Sequence, residues 1–202
     1  MPLYDCIPQV KGAWIAPNAS LVGNVAVSQW ATVWYNVVIR AELNAVRIGH
    51  FTSIGDGTTI YTLHSLPSGL ASSVNIGKNV VVESGCVINS CIIDDDCVIG
   101  QNSVIGAGAR VERGAVILPN SVVPPGRLIP AGQVWGGNSV KFVRNLTEEE
   151  LLQNYTASYT KGAPAEAGSS EFSLWPHEVK QELAAGQESM QDYATKNYFN
   201  NL

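Results

Sequence analysis

Between Ile93 and Ile129 an aliphatic residue recurs at every sixth position: Ile93, Ile99, Ile105, Val111, Ile117, Val123 and Ile129. Two places before each stands a small residue, namely Cys91, Cys97, Ser103, Ala109, Ala115 and Ser121, with Arg127 the exception. A period of six matches neither a helix, with a period of about 3.6, nor a simple strand, with a period of about 2. It predicts a parallel β-helix, in which each hexapeptide makes one flat face and one corner and three faces close a coil of about eighteen residues. The aliphatic points inward and stacks on its equivalents above and below. The small residue fits the corner, and coils spaced about 4.8 Å apart satisfy one another's backbone hydrogen bonds.

The same rhythm begins earlier, at Ile15, Leu21, Val27, Val33 and Ile39, with Ala13, Ala19, Val25 and Ala31 in the small slot. It slips by three between Ile39 and Ile48, resumes at Ile54 and Ile60, and breaks again across Thr62–Ser73. Pro67, Gly69 and several serines mark that stretch as a loop thrown out of the coil, the sort of place where function sits on a regular scaffold. Ile76, Val82 and Ile88 restart the count, although Val81 and Val87 also fit six-residue steps back from Ile93. Ala13–Gln133 thus makes about six or seven coils.

At Leu146 the pattern changes to that of a helix. Thr147 and Glu150 form a capping box and Leu146 and Leu151 a hydrophobic staple, with Leu151, Tyr155 and Tyr159 on one face. This helix is expected to lie on the solenoid. Residues 160–170 read as a linker. The remainder is either a weakly ordered tail or a partner-docking arm, because Phe172, Trp175, Tyr198 and Phe199 are more aromatic than a solvated tail needs. The chain therefore divides into a β-helix over 1–145, a helix over 146–160, and a linker with tail over 161–202.

Charge and cysteines narrow the function. A formal net charge of −5 without any Lys/Arg-rich run argues against nucleic acid as a partner. Cys86, Cys91 and Cys97 precede Ile88, Ile93 and Ile99 by two, so they read as small packing residues rather than a metal or disulfide set. The lack of a disulfide framework suits a reducing compartment. No apolar run reaches the length of a membrane span, and the first residues resemble neither a signal peptide nor an Arg-rich transit peptide.

Motifs outside the repeat carry a family resemblance over roughly Gly12–Leu152. Gly12-Ala13-Trp14-Ile15-Ala16-Pro17-Asn18-Ala19 and Val33-Trp34-Tyr35-Asn36-Val37-Val38-Ile39-Arg40-Ala41-Glu42-Leu43-Asn44 come first, followed by Ile54-Gly55-Asp56-Gly57. Trp135-Gly136-Gly137-Asn138 and Val143-Arg144-Asn145-Leu146-Thr147 complete the set. Together they resemble γ-class carbonic anhydrases. The resemblance implies a left-handed β-helix that trimerises, with zinc held by three histidines at each subunit interface so that a bound water ionises and attacks CO2. It maps the ligand positions onto Tyr61, Ser84 and Asn89, none of which is histidine. It also implies that the first and third come from one chain and the second from its neighbour. Neutral Tyr, Ser and Asn make a poor zinc site, so no cofactor is expected. Ser53 and Gly55 stand where the active enzymes carry a polar pair including a Gln, and His64 is the one histidine near enough to Tyr61 to swing in.

What the resemblance retains is the trimer motif. Arg40 is expected to pair with carboxylates across the interface, with Glu42 where Asp is usual and Asp56 kept. Buried there, a broken pair costs on the order of 3 kcal/mol. Cys91-Ile92-Ile93-Asp94-Asp95-Asp96 and Val122-Val123-Pro124-Pro125-Gly126-Arg127 look like the carbonic-anhydrase-like branch found in mitochondrial respiratory complex I. The expectation is a non-catalytic structural subunit in a homo- or heterotrimer with γ-carbonic anhydrase relatives. It would contact membrane-arm subunits and sit peripherally on the matrix side of the inner membrane. A carbonic anhydrase with a shifted site, or a hexapeptide acyltransferase with His64 as base, are the alternatives.

Overall fold

The computed structural model describes residues 7–66, 72–151 and 154. The tail calls on Phe172, Trp175, Tyr198 and Phe199 lie outside the described residues, as do Tyr155, Tyr159, the linker and Cys6. Among the described residues there are nineteen short strands. Coils start at Trp14, Thr32, Ser53, Val81, Val98, Val116 and Gln133, so the solenoid makes about seven turns.

Each coil has three faces. The first contains the opening halves of Ser20–Val27 and Val38–Ile48, then Thr59–Tyr61, Val87–Asn89, Val104–Ile105 and Val122–Val123. The second contains the closing halves of those two long strands, followed by Val74–Ile76, Ile92–Ile93, Arg110–Val111 and Leu128–Ile129. Because Ser20–Val27 and Val38–Ile48 run on around the corner, these two faces form one eleven-stranded sheet, and the third face forms an eight-stranded one. Strand pairing between coils is parallel throughout, and only the terminal Lys141–Asn145 turns back antiparallel, against Gln133–Gly136.

The inward column is the one the period predicts. Ile39, Ile54, Ile60, Ile88, Ile93, Ile99, Ile105, Ile117 and Ile129 are fully buried, with Ala31, Cys86, Cys97, Ser103 and Ala115 buried in the small slot. Val82 stands in register with the inward Ile54 and Ile99, which settles the ambiguous register in its favour, while Val87 belongs to an outward column. Burial pushes the Cys91 and Cys97 thiols up to about 12 and Cys86 to about 11, so they pack as neutral groups. Trp135 and Val140 close the end of the column, with Phe142 edge-on to Trp135 and the Arg127 guanidinium 4.9 Å from its ring.

Corners need a left-handed residue, and asparagine supplies it where glycine does not. Asn36, Asn79, Asn102 and Asn120 have φ between 54° and 57°, and their short amides tolerate this region better than most side chains. Trp30 and Phe51 adopt it as well, at 62° and 57°.

The slip of three between Ile39 and Ile48 is an insertion at a corner. Gly23 pairs with Ala41 and Val25 with Val46, so the single Asn24 lies opposite residues 42–45. Helical structure begins at Glu148, after the expected capping box: the Thr147 N–H donates to Glu150 at 3.1 Å and the Glu150 N–H to the Thr147 hydroxyl at 3.3 Å. Leu151 lies over Gly114, so the first helical turn rests on the solenoid.

Two outcomes follow. Ile99→Ala, which empties the middle of the column, should cost about 2–5 kcal/mol in urea unfolding. The second concerns Glu150, whose carboxyl is held down at about 2, first by hydrogen bonds from Arg144 and then by the Thr147 N–H. A carboxyl depressed in the folded state adds stability that is present above its unfolded value, ordinarily 4.5, and is lost as pH falls through about 2. An NMR titration of the Glu150 carboxyl should find that low midpoint, and Arg144→Ala should raise it.

Candidate functional site

The chemistry expected of the chain sits on the first face. With Ile39, Ile60 and Ile88 pointing inward, alternation turns their neighbours out. One outward column is Ser20, Val38, Thr59, Val87, Val104 and Val122. The other is Val22, Arg40, Tyr61 and Asn89. Tyr61 and Asn89 are therefore neighbours on adjacent coils, both half-buried. Ser84 is exposed at the corner that leads into this face, on its opposite edge. The structure brings two of the three positions together and holds the third apart.

A phenol, a hydroxyl and a carboxamide offer zinc no imidazole, thiolate or carboxylate, so this donor set does not fit the metal. Among the described residues no group of three His, Cys, Asp or Glu side chains could hold an ion. The side-chain oxygen of Asn89 is buried and has no hydrogen-bond partner. His64 is exposed; its backbone oxygen accepts from the Asn44 amide at 3.2 Å. His50 lies on a different corner, where its carbonyl accepts the Asn79 N–H.

The remaining predicted residues are placed as follows. Arg40 grips Glu42 of its own chain with Nε and Nη2, at 2.9–3.1 Å, with the side chains 57% and 34% exposed. Asp56 accepts the Tyr35 N–H at 2.8 Å. Within one chain, then, the Arg40 fork holds one carboxylate and Asp56 caps a turn. Ser53 accepts the Trp34 indole N–H at 3.2 Å. Gly55 has a steric reason to be glycine, since a Cβ there would sit 2.7 Å from the backbone of Glu83 and Ser84. A longer residue at this position would push the Ser84 corner away. Beside that corner lies a recess of about 290 Å³, lined by Trp34, Ser53, Asp56, Glu83, Ser84 and Gln101.

One device was not singled out by its sequence. The Asn44 amide, inside the three-residue insertion, donates to Leu63 O at 2.7 Å and to the Ser72 hydroxyl at 2.8 Å. The Leu63 N–H donates to the Ser90 hydroxyl, and Leu66 is buried over Gly108. The start of the 62–73 loop thus hugs the corner beside Tyr61 and Asn89 rather than projecting from it. An asparagine in an insertion one coil above a loop was the available signal. On the second face a groove of about 490 Å³ is bordered by Arg47, Asn75 and Ile92, and by Arg110, which is paired with Asp94.

Parallel coils around an isoleucine column, with small corner residues, define a hexapeptide-repeat solenoid. A solved structure of a hexapeptide transferase family protein from Anaplasma phagocytophilum matches it with a TM-score of 0.74 and 28% identity, over 80% of this chain and 93% of that one. A family model described as dynactin subunit 5 matches residues 5–165. Gamma carbonic anhydrase 3, mitochondrial, of Arabidopsis thaliana is 42% identical over 186 residues, 91% of this chain and 72% of that protein. Gamma carbonic anhydrase-like 1, mitochondrial, of the same plant is 46% identical over 154 residues, 76% of this chain and 61% of that protein. The chain belongs to the γ-carbonic anhydrase family and to the family that the dynactin subunit 5 model describes.

Because the Arg40–Glu42 pair is exposed in the single chain, Arg40→Ala should change its unfolding free energy by under about 1 kcal/mol. Any larger penalty should surface only in subunit association, so unfolding and oligomer dissociation measured on the same variant separate the two roles.

Proposed function

We propose that this chain is a non-catalytic structural subunit of the γ-carbonic anhydrase module of mitochondrial complex I, forming a trimer with γ-carbonic anhydrase relatives. One observation carries the reading: the zinc positions hold Tyr61, Ser84 and Asn89, while the face that joins them remains a regular, mostly β-branched surface. A scaffold that has lost its ligands and kept its docking face suits assembly rather than turnover. The mitochondrial names of the relatives support placement in that organelle, and the complex I reading puts the chain peripherally on the matrix side of the inner membrane. Phe172, Trp175, Tyr198 and Phe199 would then dock on membrane-arm subunits.

Acyl transfer is the second reading, favoured by the transferase name of the structural neighbour. It needs a base, and among the described residues His64 is the histidine beside the first face. Binding of acetyl-CoA that His64→Ala abolishes would favour it. A role in dynactin is the reading that the matched family model's description suggests, and the subunit composition of the native assembly separates it from a complex I role.

The deciding experiment measures zinc and CO2 hydration on the purified chain and on the mixed trimer. The homo-oligomer should hold no stoichiometric zinc and show no hydration activity. One copy in a mixed trimer disables the two interfaces it forms, so such a trimer should hold at most one zinc, between the other two chains. Stoichiometric zinc in the homo-oligomer, displaced by mutating His64, would establish a shifted catalytic site instead.

A further inference from the structure

The second face carries a groove that shares no residue with the first. Its outward column runs Ala26, Arg47, Asn75, Ile92, Arg110 and Leu128, in register from coil to coil. Rungs about 4.8 Å apart place Ile92 about 10 Å below Arg47. The adjoining row is Ser28, Gly49, Gly77 and Asp94, in which the N–H groups of Ser28, Gly49 and Gly77 each donate to the coil below. Gly49 and Gly77 leave this row without side chains, because a Cβ on either would strike that coil, at the Gly77 oxygen or the Asp95 carboxylate. The result is a trough of about 490 Å³, the size of a small-molecule site.

Charge in the trough is unbalanced at one point. Arg110 engages Asp94 through Nε and Nη2, at 3.3 and 3.0 Å, and Arg113 engages Asp96 at 2.9 Å. Asp95 accepts the Lys78 N–H at 2.7 Å. Arg47 is exposed and has no carboxylate partner among the described residues; it reaches the Asn75 side-chain oxygen at 3.5 Å, the limit of a hydrogen bond. The Ser28 hydroxyl, which lines the same trough, is likewise without a partner among them. Two rungs below Arg47 the floor is bare hydrocarbon, with Ile92 40% exposed.

We propose that the second face binds a small aliphatic carboxylate, its head on Arg47 and Ser28 and its chain along Ile92 toward Arg110. A guanidinium fork matches the two oxygens of a carboxylate, and one uncompensated cation matches one anionic charge. A phosphate monoester would bring further negative charge toward Asp94 and Asp95, which line the rest of the trough. The same two carboxylates, in a chain of formal net charge −5, repel a polyanionic surface such as a bilayer or a nucleic acid. An aliphatic chain laid on Ile92 removes that side chain from water, which adds affinity that a bare anion cannot gain.

The test titrates the full chain with decanoate, kept below its micelle concentration, and follows the Gly77 amide and the Ile92 methyl by NMR. For a ligand of this size Kd should be on the order of 1 mM or tighter. Arg47→Gln should weaken binding about tenfold or more, the worth of a charge-assisted hydrogen bond, and Arg47→Lys should recover part of it. Ile92→Ala, followed at Gly77, should weaken binding about fourfold, as for one buried methylene. Acetate, which lacks the chain, should bind more weakly than decanoate to the wild type. Lys141→Gln, at the far end of the rod, should change nothing, and thermal unfolding should confirm that each variant is folded. Decanoate binding that Arg47→Gln leaves intact, or that Lys141→Gln weakens equally, would overturn the proposal. So would shifts at these two residues with anionic vesicles and none with decanoate. None of these outcomes bears on the assembly role, which is argued from the first face.

Discussion

The structure depends on stacking at a fixed interval. Each inward aliphatic is buried by the aliphatics one coil above and below, as Ile54 is by Val33 and Val82, and each coil's backbone groups are bonded to the same two neighbours. Neither contact survives a change in the number of residues per face. That double constraint holds the aliphatics at sixth positions over Ile93–Ile129 and keeps the corner residues small: Cys97 and Ala115, for instance, lie at corners where the next coil passes directly overhead. It also explains why extra residues leave at corners. Residues 42–45 and the loop after Tyr61 lie outside the ladder, so the coils above and below keep their register.

Those departures are what distinguish one edge of the first face from the rest of the rod. The insertion supplies Asn44, which ties Leu63 to Ser72, and Leu63 in turn bonds the Ser90 hydroxyl next to Asn89. On the opposite edge the missing Cβ of Gly55 lets the Ser84 corner settle close to the coil above it. A regular scaffold thus presents two dissimilar edges, each shaped by a local exception.

Most of the coil could be read from the sequence because its determinants are local and periodic. The inward column, the small slot, the three-residue slip and the capping box at Thr147–Glu150 each depend on spacings within one or two coils. The left-handed asparagines were harder to read, because Asn36, Asn102 and Asn120 look like ordinary polar turn residues until a corner demands positive φ. Trp30 and Phe51 give no such sign, since their propensities oppose the conformation they adopt. The sequence offered Tyr61, Ser84 and Asn89 as a candidate set only through the family resemblance. The partner of each side chain was not legible: Arg40 was expected to reach across an interface, and in the single chain it turns to Glu42 two residues away. Residues two apart on a strand leave it on the same side, which puts Glu42 within reach of the guanidinium.

The terminal strand has a consequence for growth. A solenoid of parallel coils has no intrinsic length, because its last rung offers the same pattern of donors and acceptors as any other, and an open rung of that kind can template another chain. Here Lys141–Asn145 reverses direction on the third face, while Trp135 and Val140 plug the bore. A further parallel rung would meet an antiparallel one, out of phase with its own bonding pattern, and would find no open isoleucine to stack upon. The reversal acts as punctuation: it fixes the rod at a finite number of levels and turns association away from its end and toward its sides.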